Sequence, residues 1–143
     1  MKRTIISVFL ILVLAFSFCS VGFASVPEES TAADTRATSS MQIAASRESG
    51  TEAVVSINCN FAGIMDSYTI TVYLQRQIAN GSWVNDTTND DYTRRVSGSG
   101  RESRLFDAFY NDLTRGTSYR VKVVSKTVWE GVTYTRTGYS AAF

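Results

Sequence analysis

Apolar and polar residues alternate one for one along most of the chain beyond residue 52, and this period of two constrains the fold more than any other feature. In "EAVVSINCNF", Val55, Ile57, Cys59 and Phe61 fall on one side and Ser56, Asn58 and Asn60 on the other. In "SYTITVYLQRQ", Tyr68, Ile70, Val72 and Leu74 alternate with Thr69, Thr71, Tyr73 and Gln75. Successive side chains of a strand point to opposite faces, so the pattern describes strands with one buried face. No segment of helix length shows an apolar period of 3.6. Asn80-Gly81 ahead of "SWVND" marks one hairpin, and Glu130-Gly131 between "SYRVKVVSKTV" and "VTYTRTGYS" marks another. Short strands with regular turns predict an all-β sandwich or barrel.

The middle of the chain is less regular. "DYTRRVSGSGRESRLFDAFY" holds a polar strand around Tyr92 to Val96, a loop through Gly98 and Gly100, and a further strand. That last strand turns inward either Phe106, Ala108 and Tyr110, or Leu105 and Phe109.

The first residues follow a different logic. Lys2 and Arg3 precede an apolar run from Ile5 to Phe18, and small residues then lead to Ala24. This is the layout of a secretory signal peptide, residues 1–24, cleaved after about Ala24. The run is short for a membrane span of about 20 residues, so no membrane association is expected after cleavage. Phe18 ahead of Cys19 argues against a lipoprotein. Residues 25–41, "SVPEESTAADTRATSSM", hold the one proline and few large apolar side chains, and read as a disordered leader. Residues 42–143, about 100 residues, suit one domain.

Composition narrows the function. Loss of Lys2 and Arg3 takes the basic side chains from 14 to 12 against 13 acidic ones. A chain so near neutrality has no general electrostatic drive toward nucleic acid. There is no histidine. That excludes histidine-activated serine or cysteine nucleophiles and removes the commonest zinc and copper ligand. Cys59 is the one cysteine left after cleavage, so it is either a buried free thiol or half of an intermolecular disulfide. No cofactor, no metal and no catalytic residue is expected.

The stretch from Leu113 to Val123 reads L-x-x-G-T-x-Y-x-V-x-V, carried by Leu113, Gly116, Thr117, Tyr119, Val121 and Val123. It resembles the fibronectin type III signature at the corner between the fifth and sixth strands. The resemblance implies a single sandwich of about seven strands. It also implies a tyrosine hydroxyl bonded to the chain just upstream, and an inward-facing Ala108 and Tyr110. The family's tryptophan late in the second strand is Cys59 or Phe61 here, and its corner proline is Arg115. The chain is also similar to short secreted proteins of Gram-positive bacteria carrying a domain of unassigned function.

With that topology, Ala62–Asp66, the long segment after Asp86 and the hairpin tip at Trp129 share one end. Ile64, Met65, Asp66, Trp129 and Glu130 are then the candidate binding residues, facing an extracellular protein or glycan. Trp83, beside Asn80-Gly81, falls at the other end. A rival reading folds Ile64 and Met65 under the sandwich and lays Trp129 along a strand edge. Asp86, Asp90 and Asp91 with Asn85 and Asn89 are suited to a hard cation but lack an EF-hand's glycine and glutamate, and a solvated acidic loop is the simpler expectation. Arg94, Arg95, Arg101 and Arg104 would grip an anionic polymer or guard a strand edge. Asp66, Asp90 and Glu130 are the carboxylates left for a glycosidase-like pair. Asn80-Gly81-Ser82 and Asn85-Asp86-Thr87 fit the glycosylation sequon. The overall expectation is a small, secreted, monomeric, non-catalytic binding module, or else a structural piece of an extracellular assembly.

Overall fold

A computed structural model describes residues 37–143. The expected signal peptide and most of the leader lie outside the described residues. Every described element is a strand: β1 (Thr38–Arg47), β2 (Ala53–Phe61), β3 (Ser67–Gln77), β4 (Trp83–Asn85), β5 (Thr93–Gly98), β6 (Ser103–Tyr110), β7 (Tyr119–Trp129) and β8 (Val132–Tyr139). They form two antiparallel sheets. One has the order β1-β2-β6; the other has the order β4-β3-β7-β8, with β5 also paired to β3. The chain is an all-β sandwich.

The period-two pattern builds the core. Val55, Ile57 and Cys59 of β2 face Ile70, Val72 and Leu74 of β3 and Val121 and Val123 of β7, all fully buried. β6 resolves to one phase: Ala108 and Tyr110 are buried and Phe106 packs against the core, whereas Leu105 and Phe109 are 67% and 54% exposed.

Strand β1 moves a boundary. Thr38 to Met41, expected in the leader, pair with Phe61 to Cys59 of β2. Apart from Met41 and Ile43 the residues of β1 are small or polar, so its alternation is faint; pairing with β2 holds it.

Strands β4 and β5 line one edge of β3. Leu74 donates its N–H to Tyr92 and accepts at its C=O from Asp86, so residues 87–91 loop out between two strands held by one residue. This loop differs from the solvated acidic loop expected there. Asp86 and Asn89 are buried; Asp86 accepts from the Thr88 hydroxyl and meets Arg76 at 3.4 Å, and Asn89 donates to the carbonyl of Asn111 at 2.7 Å. Asp91 is engaged by Arg94 at 3.1 Å.

The strand directions fix two poles. Loop 62–66, loop 99–102 and the β7–β8 turn lie at one; turn 48–52, hairpin 78–82 and corner 113–118 lie at the other. The described chain begins at the first pole, where Ala62 donates to Ala37, and ends at the second. There Phe143 exchanges both backbone bonds with Tyr119, at 2.8 and 2.9 Å.

Candidate functional site

The first pole gathers four of the five candidate binding residues at the surface and buries the fifth. Loop 62–66 is fastened on both sides. Met65 donates to Arg101 and accepts from Gly100, and Asp66 donates to the carbonyl of Val128. The Asp66 carboxylate accepts from the Gly131 N–H at 3.1 Å. Glu130 and Gly131 have φ of 51° and 73°, the two left-handed residues that a tight two-residue hairpin needs. Loop and turn are thus joined through Asp66.

Burial sorts the residues. Met65 is 1% exposed and fills the end of the core, so it offers nothing to a partner. Trp129 packs against the core and lays its ring over Gly63, with indole atoms 3.6 Å from where a Gly63 Cβ would stand. Ile64 is 63% exposed and Val132, opposite Trp129 in the hairpin, is 50% exposed. The apolar surface of this pole is therefore Ile64, the outer part of Trp129 and Val132. Val132 escaped the sequence reading because its parity places it inward, and only the end of the sheet exposes it.

The carboxylates do not converge. Asp66 and Glu130 sit at the first pole, whereas Asp90 lies in the loop tied to Leu74. Eight residues of extended chain, more than about 20 Å along β3, separate Asp66 from Leu74. The four arginines are likewise dispersed. Arg94 bonds the carbonyl of Phe109 at 3.1 Å and so ties β5 to β6 across the sandwich edge. Arg95 takes the opposite face of β5, Arg101 lies in loop 99–102 at the first pole, and Arg104 is half-buried on β6.

The corner has the geometry its sequence implies. The Tyr119 hydroxyl accepts from the Thr114 N–H at 3.1 Å, Leu113 and Tyr119 are buried, and Gly116 takes a φ of 73°. Arg47 completes it, donating to the carbonyls of Gly50, Thr114 and Thr117, each at 3.1 Å. No sequence signal singled out Arg47, because its partners are backbone carbonyls, two of them about 70 residues along the chain.

A second surface emerges on the outward face of the larger sheet. Arg120 lies between Trp83 and Tyr139, its guanidinium carbon 4.6 and 4.5 Å from the two ring centroids. Its Nε donates to Gln75 at 2.9 Å, and Gln75 in turn donates to Asn85 at 3.0 Å. Cross-strand register places Lys122 between Tyr73 and Tyr139.

Among the described residues no cluster of side chains has metal-ligand geometry, and no helix is long and apolar enough to cross a membrane. No family model and no curated protein matches the chain. Solved structures with a similar chain path include a Bacteroides uniformis β-glucuronidase, at 14% identity and a TM-score of 0.40, covering 73% of this chain and 13% of that one. Another is β-glucuronidase 2 of the same organism, bound covalently to cyclophellitol-6-carboxylate aziridine, at 14% identity and a TM-score of 0.39, covering 71% and 13%. The chain spans about an eighth of the length of those enzymes, and so remote a likeness carries nothing about catalysis.

Proposed function

We propose that this chain is a small exported, non-catalytic binding module of the fibronectin type III kind. The strand order β1-β2-β6 opposite β4-β3-β7-β8 and the bond from Thr114 to the Tyr119 hydroxyl support the fold kinship. Lys2, Arg3 and the apolar run to Phe18 support export. The observation that carries a binding role is the pairing of a fastened loop with an exposed apolar tip: Asp66 holds the turn through Gly131 while Ile64 stands 63% exposed next to Gly63, which Trp129 covers. An exposed aliphatic residue on a rigid loop suits a protein contact, because little conformational entropy remains to be lost on docking.

The test is binding of the labelled protein to the outer surface of the cells that produce it. Ile64→Ser and Ile64→Asp should abolish that binding with the melting temperature unchanged, since Ile64 contributes little to the core. Undiminished binding by both variants refutes the loop-end site.

A second reading, a structural piece of an extracellular assembly, draws on β6. Leu105 and Phe109 stand on the outer face of an edge strand, the place where strand-to-strand association starts. Sedimentation of the wild type against Leu105→Lys separates the readings: only an assembly held by β6 falls apart in the variant.

A further inference from the structure

We propose that the outward face of the five-stranded sheet binds a linear acidic glycan, whose carboxylate or sulfate groups meet Arg95, Lys122 and Lys126 beside the Trp83–Arg120–Tyr139 stack. This surface is distinct from the loop end and from the notion of a single arginine cluster.

Charge segregation is the first argument. The chain as a whole is nearly neutral, yet β3, β4, β5, β7 and β8 contain no Asp or Glu. Besides the stacked Arg120 and the inward Arg136, which donates to the carbonyl of Thr38, the cations of this sheet fall into two sets. Arg76 and Arg94 take the inward parity and meet Asp86 and Asp91. Arg95, Lys122 and Lys126 take the outward parity and form no ion pair among the described residues. Cations gathered without a counter-charge repel one another, and an anionic ligand relieves that repulsion.

Spacing and shape select the class of polyanion. Alternate residues of a strand lie about 7 Å apart, so Arg120, Lys122 and Lys126 form a column with gaps of about 7 and 14 Å. Arg95 stands in the row of Thr71 and Val124, two strands from that column, about 10 Å away. A duplex nucleic acid carries a charge every 1.7 Å or so of its axis and calls for a denser array. A glycan charged once per sugar or per disaccharide matches these wider gaps. Around Val124 and Val128 the face carries hydroxyls: Thr69, Thr93, Ser97, Thr135 and Thr137 can meet sugar hydroxyls. Tyr73, Trp83 and Tyr139 are half-buried rings on this face, suited to the C–H faces of pyranose rings. A bilayer surface would instead favour protruding apolar side chains, and Ile64, Leu105 and Phe109 all lie elsewhere.

The experiment is calorimetric titration of the protein at low salt with a heparin decasaccharide and with an oligogalacturonate of similar length. At least one should bind, and binding should weaken steeply with salt. The double variant Lys122→Ala/Lys126→Ala should lose affinity by about tenfold or more at unchanged melting temperature. Arg101→Ala and Ile64→Ser, at the loop pole, should bind the glycan as the wild type does, so this proposal stands or falls independently of the loop-end site. Charge reversal, Lys126→Glu, provides a second variant at an exposed position. Absence of binding to both glycans, or undiminished binding by the double variant, overturns the proposal. Equal affinity for a DNA duplex or for phosphatidylserine vesicles overturns it as well.

Discussion

The guanidinium of Arg47 lies over the ring of Tyr119, 5.7 Å from its centroid, while donating to three carbonyls around it. The last residue of β1 and the first of β7 thereby close one pole together. The tyrosine supplies a buried ring and an acceptor for Thr114; the arginine supplies the donors that the turn carbonyls lack.

Tyr119→Phe keeps the ring and removes the acceptor, leaving the Thr114 N–H without its bond. Stability should fall by about 1 kcal/mol. Arg47→Ala should cost about 2 kcal/mol, because three carbonyls lose a charged donor. Arg47→Lys should recover little of this, since a single ammonium cannot span the same three directions. Urea denaturation of the three variants is the measurement. Neither substitution should alter glycan affinity.

Trp129→Ala should destabilise the domain by about 2 kcal/mol, since the indole packs against the core and covers Gly63. Loss of surface binding in that variant would therefore say nothing about contact with a partner. Thermal unfolding of Trp129→Ala beside Ile64→Ser separates the closing residue from the exposed one.

Gly98 has no room for a side chain. A Cβ there would stand 2.5 Å from the Tyr68 hydroxyl and 2.7 Å from the ring carbon that bears it. Tyr68 is buried and packed against Phe61, with ring centroids 5.2 Å apart, so it cannot easily retreat. At Gly138 the nearest atom is the Met41 sulfur at 2.8 Å, the end of a flexible chain. Gly98→Ala should cost about 2 kcal/mol and Gly138→Ala clearly less, as read from denaturation midpoints.

Burial pushes the Cys59 thiol up to about 12 from an ordinary value of 9.0. Burial also raises the Tyr110 phenol, with Arg94 opposing and Asp91 adding to the shift. Both groups hold their protons in the folded state above the pH at which the unfolded chain releases them. Stability should be unaffected by Cys59 below about pH 8 and fall as pH rises from 9 toward 12. Cys59→Ala should flatten that alkaline limb, although the lost sulfur lowers stability at every pH. A thiol reagent at pH 8 should label wild-type Cys59 only at the rate of unfolding. A disulfide between chains would require that same opening.

The fold was largely legible because β2, β3 and the first half of β7 bury apolar residues at every second position. The tyrosine corner was legible because its residues are neighbours in sequence. β1 was faint because small residues at an edge give little contrast. The inward side of β7 continues past Val123 into Ser125 and Thr127, both fully buried, where alternation of apolar type stops although alternation of direction does not. The Ser125 hydroxyl has Thr38 of β1 within 3.4 Å, a partner 87 residues away. Surfaces were the least legible. Arg95 joins Arg120, Lys122 and Lys126 of β7 only through the pairing of β5, β3 and β7, and Arg94 and Arg95, adjacent in sequence, face opposite ways.

The placement of Ala37 and Phe143 at opposite poles has a mechanical consequence. Tension applied between them runs parallel to the strands. It would slide β1 along β2 and β8 along β7, loading the rows of backbone bonds in each pair together rather than peeling them one at a time. Stretching Ala37 away from Phe143 would therefore meet resistance from both sheets at once, and Arg47 and Tyr119 stand at the pole where Phe143 is held.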